Sequence, residues 1–370
     1  MERRNVRHFD LFLLLLAAAL VSYGAVLIYS ASLNAYPSGI SGLDHPLVKH
    51  IAVAVAGLGI TMLVAWIDYR VFGQMAPALY LLALIMLGAV LFVGNEAYGS
   101  RRWFTLGGTQ IQASEVAKLL MIVALARFLA DRERQMDSPR VFLLSLGMAA
   151  LPAGLVMLEP DMGTAIIFGA IWLGMVMVAG APPRFVLVLF GFLISVIPFA
   201  TLAVMGDYQR DRIGLWLNPN ADPLGGGYNI LQGEIAIGSG RALGQGLTHG
   251  SQTQLDFLQT PTTDYIFSVL GEELGLVGAL VLFALFTALL FRGIRTATRA
   301  RDAFGRLLAT GIVIMILFQV FINVAVNIRL LPVTGIPLPF ISQGGSSLIT
   351  VFIAIGLLES VIVRHRQVTL

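Results

Sequence analysis

Ten apolar stretches, each close to the roughly 20 residues that carry a helix across a bilayer, alternate with shorter polar ones along this chain. They fall near residues 10–30, 47–67, 75–94, 114–130, 140–158, 162–180, 184–205, 264–292, 304–328 and 343–363. The runs are continuously apolar, whereas the strands of a membrane barrel alternate apolar and polar. The pattern predicts an all-α integral membrane protein of about ten transmembrane helices, a single polytopic domain over residues 1–370. An even number of crossings puts both termini on one side.

One polar interval breaks the rhythm. Residues 206–263, between the seventh and eighth spans, are too polar to cross a membrane and carry turn signals at Asn218-Pro219, Asp222-Pro223 and Gly225–Gly227. Loops of this length are functional or disordered. Trp216, Tyr228, Ile230, Leu231 and Ile235 argue for structure, since disorder goes with low hydrophobicity. The interval therefore reads as a structured loop against the membrane face, with a short amphipathic helix over Ile230–Ile237.

Composition agrees: 57% of residues are hydrophobic and only 12% charged, about half the charge share of a soluble domain. Mean hydropathy is +0.83. The net charge of +3 is small and the basic residues sit in short loops, where they report topology and not nucleic-acid binding. Sixteen Lys and Arg residues flank one side of the spans, among them Arg3, Arg4, Arg7, Arg292 and Arg366. Seven flank the other: Lys49, Arg101, Arg102, Arg210, Arg212, Arg241 and Arg329. The richer side is cytoplasmic by the positive-inside rule, so the 206–263 loop lies outside. The basic N-terminal stretch has no small-residue cleavage site and reads as the start of a retained span. With no cysteine, disulfides, thiolate catalysis and Cys-based metal sites are excluded.

Charges at membrane depth mark function by default. Asp264 stands where the polar loop meets the eighth span, with Glu272 and Glu273 further along the same helical pattern. Asp264 reads either as a functional carboxylate or as the helix N-cap, a job that Thr262 and Thr263 suit equally. Glu115 and Lys118, three residues apart, share a helix face and read as an interfacial salt bridge or a functional pair. Arg101, Arg102 and Trp103 lie on an outer loop, where Arg suits phosphate or carboxylate and lipid headgroups suffice as partners. Glu159-Pro160-Asp161 is an outer turn, solvated and capping on the bland view. Arg210 and Arg212 suit a diphosphate or pair with Asp207 and Asp211. Pro332, Pro337 and Pro339, followed by Ser342–Ser347, form a broken segment before the last span; such backbone at membrane depth lines a cavity or is buried. There is no GxxxxGK[ST], HExxH or GxSxG.

Together these features place acids and guanidiniums on one membrane face, as a site for a charged lipid headgroup would. The motifs are Arg102-Trp103, Ser114-Glu115-Val116-Ala117-Lys118, Glu159-Pro160-Asp161-Met162-Gly163-Thr164, Tyr208-Gln209 with Arg210 and Arg212, Thr263-Asp264-Tyr265-Ile266-Phe267, Gly271-Glu272-Glu273-Leu274-Gly275 and Ser342-Gln343-Gly344-Gly345-Ser346. With them the chain resembles, from first span to last, the SEDS family (shape, elongation, division, sporulation) of the RodA type. Gly246–Gln252 is more similar to its elongation branch than to its division branch, FtsW. Where family members carry Pro-Glu-x-His before the Thr-Asp, this chain has Gln259, Thr260, Pro261 and Thr262.

The resemblance implies a peptidoglycan glycosyltransferase in the bacterial cytoplasmic membrane, polymerising lipid II at its outer face for cell elongation and rod shape. It implies an inverting displacement with Asp264 as general base, and substrate binding by Arg102, Glu115, Lys118, Asp161, Arg210, Arg212, Ser342, Gly344 and Ser346. A divalent cation, Mg or Mn, is a candidate helper for the diphosphate. The implied partners are a class B penicillin-binding protein and other elongation-machinery membrane proteins. Charged residues in a membrane cavity also suit a lipid II flippase, and a non-enzymatic scaffold for the penicillin-binding protein is a third option.

Overall fold

A computed structural model describes residues 9–36, 42, 44–97, 100–106, 109–203 and 207–365. Arg3, Arg4, Arg7 and Arg366, used above to orient the chain, lie outside them, and so do the side chains of Arg101, Tyr208 and Gln209. The elements are α1 (Leu11–Ser32), α2 (Pro46–Trp66), α3 (Tyr69–Gln74), α4 (Ala76–Val93), β1 (Asn95–Ala97), β2 (Ser100–Leu106), β3 (Thr109–Gln112), α5 (Ala113–Asp131), α6 (Pro139–Leu158), α7 (Met162–Val178), α8 (Pro183–Ala203), α9 (Asp207–Leu217), α10 (Tyr228–Gly240), α11 (Ser251–Gln254), α12 (Ile266–Arg299), α13 (Ala303–Asn327) and α14 (Gly345–His365).

Each of the ten apolar stretches is a helix. Seven of these (α1, α2, α4, α6, α12, α13, α14) are long and apolar enough to cross a membrane by length and hydropathy; α5 carries Glu115, Lys118, Arg127 and Asp131, and α7 is shorter at 17 residues. Local chemistry sets the ends. Asp10 caps α1 by accepting from Leu13 N, and Asp302 caps α13 by accepting from Gly305 N at 2.7 Å. Pro46 and Pro139 open α2 and α6 in the first helical turn, where a missing N–H costs nothing. The first and last helices meet at one end: Asp10 N donates to Glu359 at 3.0 Å and the Asp10 carboxylate pairs with Arg292. The start of α1 and the last turns of α14 therefore share a side.

α13 lies at the centre, packed against α5, α7 and α12, while α14 packs along α2. A side chain on Gly57 would bring a Cβ within 2.2 Å of the Phe352 ring, so this crossing needs glycine. Thr61 Oγ1 then reaches Phe352 O at 2.8 Å.

Two parts of the polar sequence differ from expectation. The stretch after α4, expected as an outer loop, is a three-stranded antiparallel sheet, ordered β1-β2-β3, with Trp103 opposite Gln112. The 206–263 loop does not merely lie on the membrane face. Its predicted amphipathic helix is α10, which buries Ile230, Gly233, Ala236 and Gly240 and packs against α12. Beyond α10 the chain docks into a break in α12. Gly275 there has φ 62° and ψ −158°, which interrupts the helical ladder. The freed groups are taken up from outside: Leu276 N and Val277 N donate to Arg241 O and Ala242 O, while Gln245 N and Gly246 N donate to Glu272 O and Glu273 O. Non-helical backbone at membrane depth is tolerated on that condition. Glu272 and Glu273 complete the dock. Glu272 accepts from Gln252 N, Thr253 N and Thr253 Oγ1, and Glu273 from Ser30 Oγ. These two carboxylates fasten the loop to α12 and α1.

Candidate active site

A cleft of ≈ 1230 Å³ opens where the sheet, the start of α2, the 207–264 segment and the start of α14 converge. Asp264 lies half-buried in its wall with Arg102, Arg212 and Lys49, and Val48, Ala52, Val53 and Leu348 give it an apolar end. Burial pushes the Asp264 carboxyl above the ordinary aspartate range. Arg212 and Arg102 pull it back down, and Asp161 adds to the rise.

Asp264 is not the helix cap that its position suggested. The cap residue of α12 is Tyr265, which makes no side-chain capping bond; the N–H and hydroxyl of Ser268 are met by Asn327 Oδ1 from α13, at 3.1 and 2.7 Å. The carboxylate is thereby released from backbone duty and lies beside the re-entrant loop, where a Cβ on Gly335 would be 3.8 Å from Asp264 Oδ2. That loop, residues 328–344, is buried at Ile336, Leu338, Phe340 and Ile341, as the Pro-Gly pattern at membrane depth suggested. Gln343 N donates to Thr262 O at 2.8 Å, Thr262 Oγ1 to Gln343 Oε1 at 3.1 Å, and Ser342 Oγ to Thr263 O at 2.6 Å. Gln259 and Asn229 exchange two bonds across the mouth. Of the positions that depart from the Pro-Glu-x-His pattern, Thr262 thus holds the re-entrant loop and Gln259 holds α10, both through neutral polar groups.

Of the substrate-binding candidates, Arg102, Arg212, Gly344 and Ser346 line the cleft with Asp264. Arg102 is buried, not spread among lipid headgroups as a surface arginine would be. Its Nε and Nη2 donate to Glu159 O and Pro160 O at 2.8 and 2.6 Å. Arg212 Nη1 donates to Val333 O at 2.8 Å, and Ser346 Oγ accepts from Gln112 N at 2.9 Å. The other five are elsewhere. Asp161 caps α7 through Thr164 N and Oγ1 and accepts from Gln112 Nε2 at 3.3 Å. Ser342 is used up between Leu338 N and Thr263 O. Arg210 is exposed on α9 and does not line the cleft.

Glu115 and Lys118 do form the expected pair, at 2.7 Å, but not at an interface. Both are sealed within the bundle and neither lines the cleft. The Glu159–Asp161 turn is likewise not solvated, since the two residues are 1% and 3% exposed. Burial, helped by Asp161 and opposed by Arg102, pushes Glu159 up to about 8.

Four contributors were not singled out from sequence: Lys49 and His50 on α2, and Asn323 and Asn327 on α13. The asparagines had a signal. With Gln319 they recur every four residues in an apolar helix, a polar stripe on one face. Among the described residues no three His, Asp or Glu side chains converge as a metal site.

The chain matches the family model described as cell cycle protein, FtsW/RodA/SpoVE, over residues 10–367. It is 39% identical over 361 residues to the peptidoglycan glycosyltransferase MrdB of Escherichia coli K12, covering 97% of this chain and 95% of that protein. A solved chain from a peptidoglycan synthase complex that coordinates polymerization and crosslinking superposes with TM-score 0.83 at 32% identity, covering 97% of this chain and 99% of that one. The crystal structure of the rod shape determining protein RodA of Thermus thermophilus gives TM-score 0.70 at 30% identity, covering 98% of each.

Proposed function

The chain belongs to the FtsW, RodA and SpoVE family of cell-cycle proteins and is a multi-pass peptidoglycan glycosyltransferase, and we propose that Asp264 is its general base. One observation carries the assignment: Asp264 is a carboxylate of raised pKa in a cleft shared with Lys49, Arg102 and Arg212. An acid of that kind takes a proton, and the cations beside it suit an anionic leaving group.

The substrate we assign is lipid II, a disaccharide on a polyprenyl diphosphate. The acceptor sugar hydroxyl attacks the anomeric carbon of the donor. Its proton passes to Asp264 as the new C–O bond forms, and the bond from that carbon to the diphosphate breaks with the electron pair leaving on oxygen. One displacement inverts the α-linked donor to a β-glycan. Arg102, Arg212 and Lys49 meet the diphosphate charge. Two of the five N–H donors of an arginine are engaged by turn carbonyls in Arg102, which fixes the plane of the guanidinium. The apolar end at Val48, Ala52, Val53 and Leu348 suits the first isoprene units.

Glu115, Lys118 and Asp161 support the walls and do not touch substrate in this assignment. We place the cleft on the extracytoplasmic face of the cytoplasmic membrane, from the excess of Lys and Arg at the opposite end. The partner is a class B penicillin-binding protein of the elongation machinery, which cross-links the strands. Purified Asp264→Asn protein given labelled lipid II tests the base: no polymer is expected on a gel, and strands at the wild-type rate overturn the assignment. Headgroup movement in sealed vesicles without polymer from the wild type supports the flippase instead.

A further inference from the structure

We propose that Asn323 and Asn327, one turn apart on α13, are positioning residues that fix the backbone of Asp264 and so the aim of its carboxylate into the cleft. The inference rests on Asp264 being the base.

A buried amide costs free energy unless its groups are hydrogen-bonded. Asn327 is 2% exposed and spends its groups on one target region. Its Nδ2 donates to Asp264 O at 2.8 Å and to Asn323 O at 2.9 Å, while its Oδ1 takes both donors of Ser268. Asn323, also 2% exposed, donates from Nδ2 to Ile336 O at 2.8 Å and to Asp264 O at 3.3 Å. Two side chains of one helix thus converge on a single carbonyl, that of the base itself. Asn327 ties it to the first turn of α12, and Asn323 ties it to the re-entrant loop.

The clamp is continuous with the preceding residues. Thr262 O is held by Gln343 N, Thr263 O by Ser342 Oγ and Asp264 O by the two asparagines. Three consecutive carbonyls are held by side chains or backbone from α13 and from the loop before α14. A helix terminus needing only stability would be served by a cap on Ser268. The bonds to Asp264 O add nothing to that cap, yet they fix where the carboxylate starts from. Misplacing a reacting group by about 1 Å costs on the order of a hundredfold in rate.

The test is polymerisation of fluorescent lipid II by the full-length purified protein, with kcat and KM measured across pH and thermal unfolding followed in parallel. The variants are Asn323→Ala, Asn327→Val and the double variant Asn327→Val/Ser268→Ala. The double variant removes the serine hydroxyl that the single change strands, so it separates folding from aim. Each is expected to lower kcat about tenfold or more with KM within about twofold, the signature of a displaced catalytic group. The acid limb of kcat/KM is expected to move to lower pH as the loosened carboxylate gains water, with Arg102, Arg212 and Asp161 left in place. The double variant is expected to regain thermal stability without regaining kcat. Recovery of both kcat and the pH limb in the double variant, or wild-type values in a folded Asn323→Ala, overturns the proposal. Wild-type polymerisation by Asp264→Asn instead overturns the base itself, a distinguishable failure.

Discussion

Lys118 Nζ lies 2.7 Å from Glu115 Oε1, and neither side chain is exposed. Gln319 Nε2 reaches the other Glu115 oxygen at 3.4 Å, so the pair joins α5 to α13. A buried ion pair loses about 3–5 kcal/mol when one partner is removed, because the other is left charged and alone, yet replacing both is near neutral. Lys118→Met is therefore expected to lower the thermal unfolding temperature steeply. Adding Glu115→Gln to it is expected to recover most of that loss. Equal stability of the single and double variants in detergent would refute a purely buried pair.

Asp264 makes a second prediction, in pH. Its carboxyl is raised by burial and by Asp161 and lowered by Arg212 and Arg102. The base works when ionised, so kcat/KM rises with pH through its pKa, and the acid limb lies above the ordinary aspartate range. Arg212→Gln removes a lowering charge and is expected to move the limb to higher pH, whatever it does to the maximal rate. Asp161→Asn removes a raising charge and is expected to move it lower. Rate profiles from pH 4 to 9 check both signs; a limb that ignores both substitutions counts against Asp264 as the titrating base.

Much of this arrangement was legible in the chain, for reasons that differ by element. Lipid leaves a long apolar run wherever a helix crosses, so α1, α2 and α13 announce themselves. Asp264 stood out because a charge at that boundary is costly. The strands β1 to β3, of three, seven and four residues, are too short to carry a pattern, and in sequence alone they look like a loop. Lys49 and Asp264 lie more than two hundred residues apart, and only the folded cleft joins them. Glu115-x-x-Lys118 announced a pair, but spacing cannot say whether a pair faces lipid headgroups, a cleft or the core. The stripe of Gln319, Asn323 and Asn327 was visible in spacing, and its meaning depended on knowing that Asp264 O lies against it.

Glu159 supplies a stability prediction. Both of its carboxylate oxygens are buried without hydrogen-bond partners, and its pKa is raised from 4.5 to about 8. Between those values the folded chain keeps a proton that the unfolded chain releases. Stability from this group is fully present below about pH 4.5 and is lost as pH rises to about 8. Glu159→Gln keeps the shape and cannot ionise. It is expected to flatten the fall in unfolding temperature across that window and to be the more stable protein at pH 9. Parallel slopes for the two proteins would show that Glu159 does not titrate there.

Gly275 makes the sharpest demand on a single residue. Its φ of 62° with ψ of −158° belongs to a region that essentially only glycine enters, at a cost on the order of 1–3 kcal/mol for other residues. Space adds to conformation: a Cβ there would lie 2.4 Å from Gly244 N and 2.8 Å from Ala242 C, both backbone atoms that cannot swing aside. The strands of chain on either side are also hydrogen-bonded across the break, through Leu276 N to Arg241 O and Gly246 N to Glu273 O. Gly275→Ala must therefore push residues 241–246 off α12, which loosens the loop that leads through α11 to Asp264. The expected result is a lower unfolding temperature, faster proteolysis within 241–256, and reduced polymerisation. Gly238→Ala, on α10 with open space around its Cβ position, is expected to change none of the three, and equal behaviour of the two variants would show that the break in α12 has no special need of glycine.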